Sequence, residues 1–485
     1  MDHDVIVVGA GSAGGVVAAR LAERGRRVLL LEAGPDFPEE PPELLTTDLR
    51  IPVVEYDWGF VSEGDRGIQL PRGRVVGGSS AVNAVAAVRP QPADLDGWGI
   101  PEWSWQACLP ALSRLEDDAE FGDEPWHGRG GPIHIERRDL QHAATTTRAF
   151  HDACLEAGYT RCPDQNSPRA TGVGVQPYNA RDGARQSTLV TYLRDARRLE
   201  TLELRAETLV ERVVLEGARA VGVVANGEEL RAGLVVLAAG TYGTPPILLR
   251  SGIGPAKHLR ELGIGVTADL PVGEGLVDHP SLGVLAIARD SAFLDHDLLM
   301  RFMLRTSTEG RDGEEDLHIF GPFTEEAVRT PMPEGGFVIA GFHAKPLSRG
   351  TVRVRSADPA DPPRITLNYF GERSDLDVLM RGLELIYDLY SMPALKEVTD
   401  QVAFPPPSMS DAERRELVRS ASVTDHHPTS SCAIGPVLDP HLRVHGIDGL
   451  RVCDASVLPD TVRANTNLTA LMVGERFVEL LEEEG

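Results

Sequence analysis

Two adjacent histidines near the C-terminus are the residues best suited to proton transfer. They are His426 and His427, and they lie in the stretch Asp425 to Cys432, which reads DHHPTSSC. An imidazole has an unperturbed pKa of about 6.5, so it can take a proton from a hydroxyl group at neutral pH. A histidine before a proline is also common in loops and caps. This stretch alone therefore does not say which histidine, if either, is catalytic.

A glycine-rich turn near the N-terminus predicts a dinucleotide site. The apolar run at residues 4–8, DVIVV, is typical of a buried parallel strand, and a GxGxxG motif and a helical pattern follow it. In such a turn Gly9 permits the tight bend, Gly11 permits close approach of a pyrophosphate, and Gly14 permits helix–strand packing. Glu32, after the second strand pattern, would accept from ribose hydroxyls. The alternative is a glycine-rich turn without a ligand.

A second glycine-rich loop favours a longer cofactor than NAD. The segment GGSS at residues 77–80 precedes Asn83, and the proline-rich stretch PDFPEEPPELL stands where an NAD enzyme would continue with regular βα units. A second loop of this kind, directed at the same ligand, suggests a long flat cofactor such as FAD. The alternative is an ordinary turn.

Several separated motifs together resemble the glucose–methanol–choline (GMC) oxidoreductases. The motifs are GRVVGGSSAVN from Gly73, GTYGTPPILLRSGIG from Gly240, PVGEGLVDHP from Pro271, and the block DPHLRVHGIDGLRVCDASVLPDTVRANTNLTALMVGERFVELL from Asp439. They span the chain in the order expected for the family. In the third motif, Gly275 stands where the family usually has asparagine.

The resemblance implies an α/β (α+β) fold. We expect a Rossmann-like FAD-binding domain, mainly residues 1–280, and a second, substrate-binding domain with an antiparallel sheet at residues 281–425. Residues 426–485 would return to the FAD domain and carry the catalytic pair. The alternating, β-rich pattern at residues 204–240 is compatible with this fold.

The resemblance also implies the cofactor residues. Val82 stands where some family members attach FAD covalently through a histidine, so we expect non-covalent FAD. The residues expected to hold it are Gly9, Gly11, Ser12, Ala13 and Gly14 at the pyrophosphate, Glu32 at the adenosine ribose, Gly78, Ser79 and Asn83 against the pyrophosphate and flavin, Val210 at the adenine, Asp454 and Ala455 at the ribityl chain or pyrophosphate, and Asn467 at the flavin pyrimidine.

The family pattern selects His427 as the base and Asn465 as its partner, with His426 at a neighbouring position that often lines the substrate pocket. The implied reaction is FAD-dependent oxidation of an alcohol to an aldehyde or ketone, with O2 or another electron acceptor. A hydroxynitrile lyase-like activity and light-driven decarboxylation are alternatives on the same scaffold. Asn465 could instead be only a helix N-cap, and Cys432 either a pocket thiol or a small buried residue.

Composition excludes several partner classes. A net charge of −25 argues against nucleic acid and anionic membrane surfaces. Five scattered cysteines favour a reducing compartment, and no His, Cys or carboxylate spacing suggests a metal site. The N-terminus enters a strand pattern without a signal-peptide pattern, and no apolar run has the length of a membrane span, so we expect a cytoplasmic protein.

Overall fold

The chain is described here from a computed structural model. It describes residues 3–47, 55–64, 66–138, 143–294, 301–308, 313, 315–325 and 331–484. Of the helices in these ranges, none combines the length and the apolar composition that a membrane crossing requires.

The described elements alternate between strands and helices along the chain. The helices are α1 Ser12–Glu23, α2 Glu43–Thr46, α3 Pro92–Asp96, α4 Trp105–Leu115, α5 Thr145–Glu156, α6 Tyr192–Ala196, α7 Thr244–Arg250, α8 Ala256–Glu261, α9 Arg373–Ser391, α10 Pro393–Val398, α11 Asp411–Ala421 and α12 Thr466–Glu483. The strands are β1 His3–Val8, β2 Val28–Leu31, β3 Glu116–Asp118, β4 Ile133–Ile135, β5 Gly172–Val175, β6 Ala180–Arg181, β7 Ala184–Arg185, β8 Leu202–Arg205, β9 Val210–Glu216, β10 Arg219–Ala225, β11 Glu228–Leu237, β12 Glu274–Leu276, β13 Pro280–Ala288, β14 Phe302–Thr306, β15 Leu317–Phe323, β16 Gly336–His343, β17 Gly350–Arg353, β18 Arg364–Thr366, β19 Thr399–Phe404, β20 Val423–Thr424 and β21 Leu450–Val452.

The first sheet has the order β8-β2-β1-β11-β10-β9, and β21 also pairs with β11. Strands β8, β2, β1, β11 and β21 run parallel, whereas β9 and β10 are antiparallel. The apolar run of β2 is buried along its whole length, as expected for a central parallel strand covered on both faces. The C-terminal β21 therefore returns to the sheet that the N-terminus begins.

A buried carboxylate joins the helices that cover this sheet. Glu475 of α12 is 2% exposed, and its Oε1 accepts hydrogen bonds from Arg20 Nε of α1 at 2.9 Å and from Tyr192 Oη of α6 at 2.8 Å. Its Oε2 accepts from Arg114 Nε of α4 at 3.0 Å. One side chain thus connects the C-terminal helix to three helices that precede it in sequence.

The second sheet is antiparallel, with the order β19-β13-β16-β15-β14-β5, and β20 also pairs with β13. Helices α5 and α9 pack against one of its faces. Leu304 of β14 and Ile319 of β15 point into that buried layer. Because side chains alternate along a strand, the neighbours of these two residues point to the opposite face.

The predicted combination of a Rossmann-like unit and an antiparallel second sheet is confirmed. The second sheet also recruits β5, and α5 packs beneath it, although both belong to the segment 1–280 that the sequence assigned mainly to the FAD domain. Strand pairing between distant segments is not visible in the local pattern of either strand. The three domain ranges remain a prediction.

Replacing Glu475 with alanine should destabilise the protein strongly. The change leaves two guanidinium groups and a tyrosine hydroxyl without their common acceptor, so we expect a loss of about 3 kcal/mol in the free energy of unfolding. Glu482→Ala is the matched control, because Glu482 pairs with Arg24 at the half-exposed surface of the same helices, where such pairs contribute less than about 1 kcal/mol. Urea unfolding monitored by circular dichroism measures both. Equal losses would contradict a central role for Glu475.

Candidate active site

In the turn between β1 and α1, protein packing requires glycine at two positions but not at a third. A Cβ on Gly14 would lie 2.0 Å from the Gly9 oxygen, and one on Gly9 would lie 2.5 Å from the Ala238 oxygen at a φ of +99°. Gly11 has an ordinary φ of −78°, and its Cβ would meet only the Gly78 Cα at 3.8 Å. Packing therefore does not require glycine at position 11, whereas close approach of a phosphate does.

The two glycine-rich loops are in contact. The Gly77 N–H donates to the Ala10 carbonyl at 2.8 Å, and a Cβ on Gly78 would lie only 2.6 Å from the Gly11 Cα. Both loops can therefore reach one ligand. The side chains of this second loop are partly used within the protein: Ser79 Oγ accepts from Gly73 N at 3.3 Å, and Asn83 Oδ1 accepts from Arg185 Nη1 at 2.6 Å.

The first turns of α1 and α12 meet beside these loops. Ser12 and the buried Ala13 open α1, and Ser12 Oγ donates to Asn467 Oδ1 at 2.8 Å. Asn467 Nδ2 is buried and has no hydrogen-bond partner among the described residues. Two helix N-termini with a free amide donor form a site for electronegative groups. These groups fit a flavin dinucleotide, whose phosphates and ring carbonyls are acceptors.

Glu32 lies at the end of β2, beside the same turn. Its Oε2 accepts from Ala10 N and its Oε1 from Gly34 N, each at 2.9 Å. Burial raises the pKa of this carboxyl to about 7, and the backbone donors oppose that shift. The Glu32 carbonyl accepts from Thr208 N at 2.8 Å, which brings the start of β9, with the buried Val210, close to the carboxyl group.

The carboxylate of Asp454 already has three donors from the protein. Oδ2 accepts from Thr244 Oγ1 at 2.6 Å and Gly240 N at 2.9 Å, and Oδ1 accepts from Ser456 N at 2.8 Å. It joins the loop after β11 to the C-terminal segment. A contact of Asp454 or Ala455 with a cofactor therefore falls mainly to their backbone.

The histidine and asparagine expected to act together are hydrogen-bonded to each other. Asn465 Nδ2 lies 3.0 Å from His427 Nε2. Asn465 occupies the N-cap position of α12, but its side chain makes no capping hydrogen bond. The amide is directed at the imidazole and not at the first turn of the helix, which supports the role expected for Asn465 as the partner of His427.

The hydrogen bonds around His427 define its tautomer. An amide Nδ2 can only donate, so His427 Nε2 accepts and a neutral ring carries its proton on Nδ1. That Nδ1 lies 3.0 Å from His279 Nδ1 and 3.3 Å from Asp425 Oδ2. His279 then accepts at Nδ1 and donates from Nε2 to Thr461 Oγ1 at 3.1 Å. The basic lone pair of His427 is thereby fixed at Nε2, beside Asn465.

The backbone around His427 is held by the buried carboxylate of Asp278. Its Oδ1 accepts from the backbone N–H groups of His427 and His279, each at 2.9 Å. Its Oδ2 accepts from Thr424 Oγ1 at 2.5 Å and Tyr369 Oη at 2.8 Å. His426, at a left-handed φ of +65°, turns the chain so that its own side chain is exposed while His427 is buried.

Electrostatics keep His427 neutral. Burial lowers its pKa well below 6.5, and the neighbouring His279 and His426 add to the shift. Burial likewise lowers the pKa of His279 to about 3. Burial and the nearby Asp278 carboxylate raise the pKa of the Asp425 carboxyl well above 3.8. A neutral imidazole with a fixed tautomer is the form that acts as a base.

The sequence alone did not identify the residues that orient this histidine. Asp278, His279 and Thr461 received no role, although Asp278 and His279 lie inside the motif PVGEGLVDHP. A buried acid next to a histidine at the start of a strand is a usable signal, but its contact with a segment almost 150 positions later requires the fold. Cys432 is fully buried, and burial raises the pKa of its thiol well above 9.0, which fits the small buried residue of the two alternatives.

A second buried cluster of acids and histidine lies apart from these residues. Glu116, Asp118 and His127 are close enough to share a metal ion. However, Glu116 forms an ion pair with Arg89 at 2.7 Å and Asp118 one with Arg137 at 3.0 Å, and His127 Nδ1 lies 2.6 Å from Glu116 Oε1. The cations already balance these carboxylates, so we interpret the cluster as structural.

Comparison with known proteins decides the family. Models of GMC oxidoreductases match residues 3–281 and 346–474. The chain belongs to the GMC oxidoreductase family. Choline oxidase from Arthrobacter globiformis is 35% identical over 99% of this chain and 94% of its own length. Mitochondrial choline dehydrogenase from Homo sapiens is 31% identical over 99% and 90%, respectively. The crystal structure of pyridoxine 4-oxidase from Mesorbium loti aligns with a TM-score of 0.92, 28% identity and 99% coverage of both chains.

These findings confirm the family, the fold and the reaction class expected from the sequence. This GMC oxidoreductase is an FAD-dependent enzyme that oxidises CH–OH donors. The roles of the individual cofactor and catalytic residues stay predictions, and the contacts described above are the physical grounds for them.

Removal of the free donor of Asn467 should weaken FAD binding. Asn467→Asp keeps an acceptor for Ser12 but deletes the buried N–H, so we expect the dissociation constant for FAD to rise about tenfold, the cost of one good hydrogen bond. Flavin fluorescence during titration of the apoprotein measures it. Ser420→Ala, which removes an exposed hydroxyl bonded to the Glu416 and Leu417 carbonyls in α11, is the control. An unchanged dissociation constant in Asn467→Asp would exclude the amide from the cofactor site.

Proposed function

We propose that His427 is the base of the alcohol oxidation and that Asn465 stabilises the reacting oxygen. The observation that carries this proposal is the 3.0 Å contact between His427 Nε2 and Asn465 Nδ2. A substrate hydroxyl that enters between these atoms meets a proton acceptor on one side and a hydrogen-bond donor on the other.

Each side chain has a separate task in this proposal. His427, neutral and protonated at Nδ1, takes the hydroxyl proton at Nε2. Asn465 donates to the same oxygen and stabilises the negative charge that develops on it. The α-hydrogen leaves the substrate carbon with its electron pair, and the carbonyl bond forms. Bound FAD supplies the acceptor for that hydride, while the protein orients the alcohol and excludes water.

The cofactor residues named from the sequence are proposed in the same roles. The contact between the glycine loops, the open position at Gly11 and the free amide donor of Asn467 support them. Val82 is a buried valine without a nucleophilic atom, which supports non-covalent FAD. Flavin that remained on the polypeptide after denaturation would contradict this.

The electron acceptor and the location are also part of the proposal. O2 or another electron acceptor would take the electrons from bound FAD. All five cysteines are free and buried, which supports a reducing compartment such as the cytoplasm.

Neither the site geometry nor the relatives described above favour a lyase or a light-driven decarboxylase.

Replacing His427 with alanine should abolish most of the catalysis and spare the cofactor. We expect the rate of anaerobic flavin bleaching by an alcohol substrate to fall about 10² to 10⁴-fold, the usual contribution of a positioned base. Stopped-flow absorbance measures this rate in samples of equal FAD content. His445→Ala is the control, because His445 binds only the Gly435 carbonyl in the same C-terminal segment. Bleaching of His427→Ala at the wild-type rate would refute the assignment.

The pH profile of flavin reduction should report the lowered pKa of His427. A base is active when it is deprotonated, so a pKa below 6.5 extends activity to more acidic pH. We expect the reduction rate constant at saturating substrate to stay level from pH 8 down past about 6.5 and to fall only below that value. Anaerobic stopped-flow measurements across this range test it. An acid limb with a midpoint above 6.5 would show a protonated histidine in the resting enzyme.

A further inference from the structure

One face of the second sheet adjoins the proposed catalytic pair. On β14 and β15, Leu304 and Ile319 point into the helix-covered core, so Met303 and Phe320 lie on the opposite face. Met303 and Phe320 pack with the residues that immediately precede Asn465, in a small apolar cluster with Val462 and Ala464. This face therefore approaches the segment that carries Asn465.

The same face reaches His427 through one aromatic ring. The Phe342 ring of β16 lies with its centroid 5.6 Å from that of His427 and 4.7 Å from that of His318 on β15. Phe320 lies 5.7 Å from Phe342. Because the glycine loops that fit the cofactor belong to the first sheet, an alcohol between cofactor and second sheet would contact this aromatic surface.

Two polar side chains on this face are buried without adequate partners. His318 is 0% exposed and Arg305 is 1% exposed, and they are register partners on the paired strands. Both ring nitrogens of His318 lack a hydrogen-bond partner among the described residues, and so does the Nε of Arg305. Arg305 donates one long bond, 3.4 Å from Nη2 to the Arg89 carbonyl. Buried groups of this kind usually have partners, so these two side chains are candidates to bind a ligand.

The positive charge of Arg305 also has no carboxylate partner at ion-pair distance among the described residues. Three carboxylates act on it from further away. Asp94 is paired with Arg463 at 2.6 Å and Asp164 with Arg137 at 3.0 Å, and the third is Glu315. Burial lowers the pKa of Arg305 to about 10, so it remains cationic at neutral pH. An anion would satisfy both the charge and the free donors.

We propose that Arg305 and His318 form a subsite for a carboxylate of the substrate, so that the enzyme oxidises hydroxy acids rather than quaternary ammonium alcohols. The inference rests on the proposed function, because it takes the hydroxyl to lie at His427 and Asn465. The centroids of the His318 and His427 rings lie 4.7 Å and 5.6 Å from that of Phe342, and we take hydroxyl and carboxylate to be separated by about the length of such a ring. A hydroxymethyl aryl carboxylate spans this distance and glycolate does not.

The substrate class separates this chain from two of its relatives. Choline oxidase and choline dehydrogenase carry the name of a quaternary ammonium alcohol. Such a cation is attracted by aromatic rings but repelled by a guanidinium group. The aromatic surface of Phe320 and Phe342 could accept a cation, and Arg305 beside it makes that unfavourable.

A matched panel of benzylic alcohols tests the subsite. Benzyl alcohol, 4-(hydroxymethyl)benzoate and its 4-trimethylammonium analogue share one hydroxymethyl group and differ in para charge. We expect the carboxylate to reduce the flavin with a kcat/KM roughly tenfold or more above that of benzyl alcohol, as one charge-assisted hydrogen bond provides, and the cation to be poorer than both. A cation equal to or better than the carboxylate would overturn the proposal.

A variant of Arg305 tests whether this residue causes the preference for the carboxylate. Arg305→Met keeps the length of the side chain and removes its charge, so the ratio of kcat/KM for the carboxylate to that for benzyl alcohol should fall to about one. Arg289→Met, at an exposed position after β13, should leave the preference intact. A carboxylate preference that survives in Arg305→Met would overturn the assignment. If that variant does not fold, binding of benzoate against phenyltrimethylammonium to the wild-type holoenzyme, read from the flavin spectrum, decides between the same outcomes.

The panel distinguishes failure of this inference from failure of the proposed function. If the wild-type enzyme bleaches with benzyl alcohol but shows no preference for the carboxylate, the subsite is refuted and the catalytic proposal stands. If His427→Ala bleaches as fast as the wild type with every alcohol, the catalytic proposal fails and the subsite loses its basis with it.

Discussion

The buried carboxylate of Asp278 holds the proposed catalytic histidine in place. It accepts from four donors that come from three separate parts of the chain, including the backbone N–H of His427. An ionised carboxylate without these donors would be too costly at this depth. The four bonds therefore both stabilise the charge and fix the path of the chain. Because His426 is in a left-handed conformation, this anchoring also offsets the strain of the turn that buries His427.

Burial at this position also sets the protonation preferences of His427 and Asp425. The same layers that exclude water from His427 disfavour its charged form, so the ring is a neutral base. Its direct neighbour Asp425 is affected in the opposite direction, because burial and Asp278 favour the protonated carboxyl. The contact between Asp425 and His427 therefore lies in surroundings that disfavour charge on either group.

The sequence predicted the features whose causes are local. Gly9 and Gly14 are required by contacts within one turn, and the helix that begins after Asn465 has its own periodicity. His427 and Asn465 could be named only through the family resemblance, because nothing in their neighbourhoods distinguishes a catalyst from a loop or cap residue. The partners of His427 and the pairing of Arg305 with His318 depend on strand register and on contacts between distant segments. Periodicity sets which residues share a strand face, but not which strand lies next to it.

The contact between Asn465 and His427 comes at the expense of a helix-capping hydrogen bond. An asparagine at an N-cap normally bonds the first turn of its helix, and loss of that bond costs about 1 kcal/mol. Here the amide forgoes the cap and bonds the imidazole. The ring nitrogens of His318 and the Nδ2 of Asn467 are further buried groups in this region without partners in the described chain. A fold that satisfies most of its polar groups but leaves donors and acceptors open around one histidine and two glycine loops is arranged for ligands that supply the missing partners.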